Sequence, residues 1–252
     1  MTLSNLRGGY SFLRGGKPYS AGVVASGGFA IEHIRFSSPV PWMAGFELVD
    51  AHLRAAGRPR ASLCAIALRS PAALSFQGFK EFNEAYVDFL KSWDVLVDGI
   101  NPVARTNVAP EVDPPAEPSL YSFAYTTPSA GAAVSFVIAG GGELPDGAFE
   151  PKDIVRYNDT TPDAMAAKAD FVVGLMEARL RGLGASWSQV GATNIYTVHD
   201  VNPLLAKVVL PRIGSASQHG LTWYYTRPPI IGIEYEMDLR GGTRETILQA
   251  GQ

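Results

Sequence analysis

Residues 51–57 read AHLRAAG and residues 178–184 read ARLRGLG, so a closely similar segment recurs 127 residues later in a chain of 252. Self-similarity at half the chain length is the signature of a duplicated structural unit. In both copies apolar residues precede the segment at spacings of three and four, which is typical of an amphipathic helix. Gly57 and Gly184 stand where a helix ends in a left-handed residue. The repeat therefore predicts two related units, at residues 1–126 and 127–252.

The segments around the repeat predict the same order of elements in each half. Strand-like runs follow the two helices at 61–69 and 190–199, and a second helix follows in each half at 77–93 and 202–214. The remaining β-rich runs open and close the halves, at 21–26, 28–36, 104–110, 119–127, 132–141, 221–226 and 230–239. Each half is thus predicted to be an α+β unit of order β-β-α-β-α-β-β, with helices on one face of a mixed sheet.

Composition limits the classes of partner. The net charge is −3 and no Lys/Arg-rich run occurs, which argues against a nucleic-acid partner because neutralising phosphates needs clustered cations. With Cys64 as the only cysteine and four scattered histidines, the sequence predicts no disulfide and no metal site. No apolar run approaches the roughly 20 residues that span a bilayer, and the N-terminus lacks the apolar core of a signal peptide. We expect a soluble cytoplasmic protein without a membrane partner.

Several motifs resemble the RidA/YjgF family of imine deaminases. FKEFNEAYVDFL at 79–90 is similar to the second helix of that family, and Ala104-Arg105-Thr106 is similar to its arginine-bearing strand. Pro18-Tyr19 resembles the N-terminal Pro-Tyr of the family. In the second half, FVIAGGGELP at 136–145 resembles the strand and turn that carry backbone N–H donors, and IEYEM at 233–237 resembles the strand with the family's glutamate. The chain is on these grounds identified as two tandem RidA/YjgF-like units of the chorismate-mutase-like fold.

The resemblance implies an assembly, an activity and a set of roles. It implies a homotrimeric barrel with pockets at the seams between units and with no metal or organic cofactor. In the family an arginine binds the carboxylate of a 2-imino acid, while a tyrosine and a glycine-turn N–H shape the pocket. A glutamate orients the water that hydrolyses the C=N bond. The implied reaction converts the imine or enamine of a small carboxylate into the oxo acid and ammonia.

The two halves carry different parts of this implied site. The first half has Tyr19 and Arg105, but it lacks an acidic residue where the family has its glutamate. The second half has Glu234 and a run of three glycines, but His219 stands where the family has its arginine. The resemblance therefore predicts a composite pocket in which Tyr19 and Arg105 from one half face Glu234 and the glycine turn from the other. His219 is a further candidate acid/base or anion ligand.

The chemistry of these residues fits the implied roles, although each also has an ordinary structural explanation. The planar guanidinium of Arg105 offers a carboxylate two parallel charge-assisted bonds, whereas elsewhere it would form a surface salt bridge. Alternation along the strand puts Glu234 and Glu236 on one face, where burial could tune a carboxyl for acid/base work or water could simply solvate both. A glycine run can present N–H groups to developing negative charge or form a tight turn: here Gly140, Gly141 and Gly142.

The sequence thus predicts a metal-free deaminase, with Arg105 anchoring the carboxylate and Glu234 positioning water. Aromatic residues at 223–225 could form flat walls that suit a 2-aminomuconate-type substrate as well as other 2-imino acids, or they could pack at a subunit seam. A non-catalytic binder of small carboxylates would use the same pocket without turnover. An amide or ring hydrolase, by analogy with cyclic-amide hydrolases, ranks last because no lysine stands at either candidate position.

Overall fold

The computed structural model describes residues 1–131 and 133–249, which fold into two β-sheets packed face to face with helices outside. Ala132, which begins the predicted strand at 132–141, and residues 250–252 of the second predicted unit lie outside the described residues. None of the helices in the described residues combines the length and the apolar character needed to cross a bilayer.

Thirteen strands and five α-helical segments are assigned in the described chain. The strands are β1 (Thr2–Asn5), β2 (Tyr10–Leu13), β3 (Gly22–Ala25), β4 (Phe29–Pro41), β5 (Leu63–Arg69), β6 (Ala104–Pro110), β7 (Ser119–Pro128), β8 (Phe136–Gly142), β9 (Ala192–Tyr196), β10 (Thr222–Tyr224), β11 (Thr226–Arg227), β12 (Glu236–Gly241) and β13 (Arg244–Leu248). The helices are α1 (Trp42–Ala55), α2 (Phe76–Ser92), α3 (Pro162–Gly182), α4 (Asn202–Leu204) and α5 (Leu210–Ile213). Short 3-10 turns occupy Arg60–Ser62, Pro151–Asp153, Trp187–Gln189 and Gly214–His219, and a π-helical turn spans Leu205–Val209.

The strand order shows that both halves of the chain contribute strands to both sheets. Sheet A has the order β1-β2-β3-β8-β12-β9-β10, and sheet B has the order β11-β6-β5-β7-β4-β13. Strands β1 to β3 of the first half thus join the sheet of the second half, where Val23 pairs with Val137. Strands β11 and β13 of the second half join sheet B in return. The expected fold of two RidA/YjgF-like units is therefore wrong. The division of the chain at 126/127 stays a prediction, and each sheet contains strands from both sides of it.

Alternation along β8 separates two of the cores. Phe136 and Ile138 pack with α3 in the core outside sheet A, whereas Val137 and Ala139 belong to the core between the sheets. Successive side chains of a strand point to opposite faces, so one strand serves both layers. Helices α1 and α2 cover the outer face of sheet B through a third core that includes Phe46. The result is a four-layer helix–sheet–sheet–helix arrangement.

Local helix signals in the sequence are confirmed. Gly57 and Gly184 have φ of +65° and +73°, the left-handed conformation predicted for both. The N–H groups of the next residues reach back to the helices, from Arg58 to the carbonyl of Leu53 at 2.8 Å and from Ala185 to that of Leu180 at 2.9 Å. Both helices thus end in the same hydrogen-bonded motif, which satisfies carbonyls that the last turn leaves free.

The second helix of the second half, predicted at 202–214, is interrupted. It consists of α4, the π-helical turn and α5 in succession. Pro211 has no N–H to donate to the preceding turn, and its ring clashes with the carbonyl four residues earlier. A π-helical turn is one way in which a helix accommodates such a disruption.

Candidate active site

A cavity of about 610 Å³ lies where β6 of sheet B and β8 of sheet A meet α2. Tyr19, Asn83 and Arg105 line it from the first half of the chain. From the second half come the three glycines at 140–142, Arg179 and Glu236. The cavity is therefore built at a seam to which both halves contribute.

Arg105 is a buried cation that lines this cavity. It lies on β6 and is only 3% exposed. Its Nη2 donates to Oδ1 of Asn83 at 2.6 Å, and its buried Nη1 has no hydrogen-bond acceptor. Four aromatic rings surround the guanidinium with centroids 4.8–5.7 Å from Cζ, those of Tyr19, Phe79, Phe82 and Tyr86. No carboxylate of the described residues lies within salt-bridge distance of Arg105, so a buried positive charge is left for a ligand to neutralise.

Glu236 is a buried acidic group of the cavity. It begins β12 and is 4% exposed. Burial and the nearby carboxyl of Asp238 hold the pKa of Glu236 well above its usual range, although Arg179 and Arg105 oppose the shift. A carboxyl with a raised pKa retains its proton at a higher pH than usual, which suits a general acid.

Arg179 reaches the cavity from α3. It is 5% exposed, and its Nη1 donates to the carbonyl oxygens of Ala139 at 2.9 Å and Gly140 at 3.3 Å. Its Nη2 donates to Oδ1 of Asp146 at 2.9 Å. The loop that carries Asp146 forms one wall of the cavity, at residues 144–149.

Two of the three glycines, Gly140 and Gly141, make room for these two side chains. A Cβ on Gly140 would overlap Oε1 of Glu236, and one on Gly141 would lie 2.9 Å from Nη1 of Arg179. The N–H of Gly140 donates to Oγ1 of Thr106 at 3.1 Å. Glycine is thus needed at these two positions of β8 for close approach of functional side chains. The role of the run as an N–H donor to the substrate stays a prediction, and the N–H of Gly140 is already bonded to Thr106.

Asp238 lies two residues beyond Glu236 and is held by a buried polar network. Its Oδ2 accepts from Oγ1 of Thr106 at 2.7 Å and from the hydroxyl of Tyr196 at 2.8 Å. Its Oδ1 accepts from Nδ2 of Asn194 at 2.7 Å. Three donors therefore keep the carboxylate next to Glu236 in one position, where its charge favours the protonated form of Glu236.

Residues 2–246 match the model of the family described as 2-aminomuconate deaminase CnbZ. The chain belongs to this family. A relative, 2-amino-5-chloromuconate deaminase of Comamonas testosteroni, is 46% identical over 244 residues, which cover 96% of this chain and 96% of the relative. The identification with the RidA/YjgF family is therefore wrong. The prediction of an enzyme that hydrolyses C–N bonds is confirmed by membership of a deaminase family.

Two kinds of solved structure are similar to this CnbZ-family chain in fold. A chorismatase has a TM-score of 0.48 and 13% identity, with 88% of this chain and 77% of that chain covered. A cyanuric acid hydrolase has a TM-score of 0.45 and 11% identity, with 86% of this chain and 69% of that chain covered. At these values neither similarity bears on the chemistry of the cavity.

The structure separates the predicted residues of this CnbZ-family chain into two groups. Tyr19, Arg105 and the glycines at 140–142 line one cavity, but Glu234 and His219 do not line it. Oε2 of Glu234 lies 2.9 Å from Nε2 of His199 in a partly exposed pair. His219 is exposed at the end of a 3-10 turn. The expected pairing of Arg105 with Glu234 in one pocket is thus not observed.

The reason is the point at which β12 begins. Regular strand structure starts at Glu236, so the alternation assumed for 233–237 does not extend back to Glu234. The two carboxyls consequently face different surroundings. A signal in the sequence could have identified the buried one, because Glu236 and Asp238 alternate with the apolar Met237 and Leu239.

A buried ion pair that the sequence did not reveal holds the start of β12. Lys168 and Glu143 are both fully buried, with Nζ 3.1 Å from Oε1. The carboxylate of Glu143 also accepts the backbone N–H groups of Glu234 at 2.7 Å and Tyr235 at 3.0 Å. Nζ of Lys168 donates to the carbonyl of Val155 at 2.8 Å. The pair therefore ties β8, α3 and the segment before Glu236 together.

Proposed function

We propose that this enzyme deaminates a 2-aminomuconate-type enamine at the cavity between Arg105 and Glu236. One observation carries the proposal. A buried guanidinium without a carboxylate partner lies in the same cavity as a buried carboxyl whose pKa is raised. A carboxylate ligand and a step of acid catalysis would use both groups. Membership of the 2-aminomuconate deaminase family supports the choice of substrate.

Each residue has a distinct role in the proposed reaction. Arg105 binds the carboxylate next to the amino-bearing carbon, with Asn83 fixing the plane of the guanidinium through its 2.6 Å bond. The ring of Tyr19, which contacts the Arg105 guanidinium, forms a flat wall beside the bound acid. Protonated Glu236 donates to the enamine carbon, which converts the enamine into an iminium ion.

Water completes the proposed reaction. The carboxylate of Glu236 takes a proton from the water that adds to the iminium carbon, so Glu236 is returned to its protonated form. The new C–O bond gives a carbinolamine, and transfer of its hydroxyl proton to nitrogen breaks the C–N bond. One enamine and one water thus yield one oxo acid and one ammonia, with no oxidant or reductant required.

The proposal is tested by ammonia release from freshly generated 2-aminomuconate, together with the loss of absorbance of the conjugated enamine. An Arg105→Met variant should lower kcat/KM by roughly 10- to 100-fold, because it removes charge-assisted bonds worth about 1.5–3 kcal/mol. Arg227→Met serves as the control, since Arg227 forms an exposed pair with Glu111 outside the cavity. Absence of ammonia from the wild-type protein, or equal rates in Arg105→Met and wild type, would contradict the proposal.

A further inference from the structure

We infer that Arg179 binds the second, distal carboxylate of a dicarboxylate substrate, and that Asp146 is the counter-ion which that carboxylate replaces. The inference rests on the proposed function, because it concerns the same cavity. In addition to Arg105, which anchors one carboxylate, it assigns a second residue that determines specificity for a dicarboxylate.

The edge of the Arg179 guanidinium formed by Nε and Nη2 has only one of its two donors in a hydrogen bond. Nη1 donates to two backbone carbonyls of β8, and these bonds fix the direction of the guanidinium. On the opposite edge, Nη2 donates to one oxygen of Asp146, while the buried Nε has no acceptor. A carboxylate bound side-on would engage Nε and Nη2 together.

In two other arginines of this chain, both Nε and Nη2 bind the same carboxylate. Nε and Nη2 of Arg212 lie 3.1 and 2.7 Å from the two carboxylate oxygens of Glu177. Nε and Nη2 of Arg227 lie 2.7 and 3.2 Å from those of Glu111. Asp146 makes only one of the two bonds with Arg179. The Arg179–Asp146 pair therefore has one hydrogen bond where the other two pairs have two.

The two members of the Arg179–Asp146 pair differ in access to solvent. The side chain of Arg179 is 6% exposed, whereas that of Asp146 is 54% exposed. An exposed carboxylate can leave for water at little cost, but a buried guanidinium cannot. A substrate carboxylate that enters the cavity can thus take the place of Asp146 and keep the buried charge compensated.

The charges of the cavity also favour a ligand with two negative ends. Arg105 comes from sheet B and Arg179 from α3, and both act electrostatically on Glu236. Burial raises the pKa of Glu236 and so favours its uncharged form. Two buried guanidiniums thus share the cavity with one buried carboxyl, and a dianion held at both ends would place its middle carbons beside Glu236.

The test compares the binding of trans,trans-muconate with that of sorbate, in which a methyl group replaces one carboxylate. The dissociation constants are measured by calorimetry and need no turnover. Wild type should bind muconate at least 10-fold more tightly than sorbate. Arg179→Gln should reduce this preference to about twofold or less while sorbate binding stays unchanged. Arg212→Gln is the matched control, because Arg212 forms ion pairs outside the cavity.

Asp146→Asn provides a second variant that should fold normally, because Asp146 is half exposed. Loss of its charge should raise the preference for muconate severalfold. Equal binding of the two acids to wild type, an unchanged preference in Arg179→Gln, or an unchanged or lower preference in Asp146→Asn would overturn the inference. A failure to release ammonia would instead contradict the proposed function. It would not change the ratios of muconate to sorbate binding, which test the role of Arg179 separately.

Discussion

Replacing Gly140 by alanine tests whether the position of Glu236 matters for catalysis. The added methyl group would overlap Oε1 of Glu236 and lie 3.2 Å from its Cδ and 3.1 Å from Cγ2 of Thr106. Thr106 is held by its bonds to Asp238 and to the N–H of Gly140, so the carboxyl of Glu236 is the group that has to move. The three heavy atoms nearest to the methyl group belong to Glu236 and Thr106, and none belongs to Arg105.

The magnitudes follow from these contacts. Relieving the overlap requires a shift of about 1 Å in the carboxyl, and a misplacement of that size can lower a rate by roughly 100-fold. Overpacking of a buried site costs about 1–3 kcal/mol of stability. We expect kcat for ammonia release to fall about 100-fold in Gly140→Ala, while the dissociation constant of muconate changes by less than about threefold because the anchoring arginine is untouched.

The assay combines kcat, muconate binding and unfolding in urea. Gly191→Ala is the control, because a Cβ at Gly191 would have no heavy atom within 4 Å. That variant should match wild type in all three measurements. A Gly140→Ala protein that is folded and retains kcat within about threefold of wild type would refute the reasoning that the glycine exists to seat the carboxyl of Glu236.

Three further predictions concern stability and pH. The contribution of Glu236 to stability should fall as pH rises from the ordinary carboxyl pKa toward the raised pKa of Glu236, because the folded state keeps a proton that the unfolded state releases. Urea unfolding should therefore show Glu236→Gln becoming more stable than wild type over this window, by up to about 1.4 kcal/mol per pH unit; equal pH slopes would contradict this. Asp238→Asn removes the charge that helps to raise the pKa of Glu236, so the alkaline limb of its pH–rate profile should move to lower pH, and an unmoved limb would exclude that influence. Lys168→Met leaves Glu143 buried without its ion-pair partner and should lower the free energy of unfolding by about 3–5 kcal/mol, with part of the loss restored by adding Glu143→Gln; a loss under about 1 kcal/mol would be inconsistent with a stabilising role for the pair.

Features that depend on local chemistry could be predicted from the sequence. The glycines at 57 and 184 end their helices as expected, because only a left-handed residue completes that motif. Pairing between distant strands was not predictable in the same way. The short strands β1 and β2 carry weak patterns, and nothing local indicates that β3 will pair with β8 more than 100 residues later.

The residues of the candidate active site could be predicted only in part from the sequence, for similar reasons. Arg105 and Tyr19 stand in short motifs with recognisable composition, and both line the cavity. The choice between Glu234 and Glu236 depended on where β12 begins, and tertiary pairing decides that. Arg179 lies inside the repeat that revealed the duplication, where the first half has His52. That difference between the copies set Arg179 apart in the sequence. Its role could be inferred only from the structure, where its guanidinium packs against Gly141 at the cavity. The homotrimer and the cytoplasmic location stay predictions.

Ammonia release from 2-aminomuconate by Glu236→Gln and Glu234→Gln, measured side by side, tests the central claim most directly. Glu236 lies in the cavity with Arg105, whereas Glu234 lies outside it beside His199. We expect Glu236→Gln to lose ammonia release by at least about 100-fold and still bind muconate, because general acid–base catalysis typically contributes about 10²–10⁴-fold. Glu234→Gln should remain within about twofold of wild type. The opposite pattern, with Glu236→Gln active and Glu234→Gln inactive, would contradict the account.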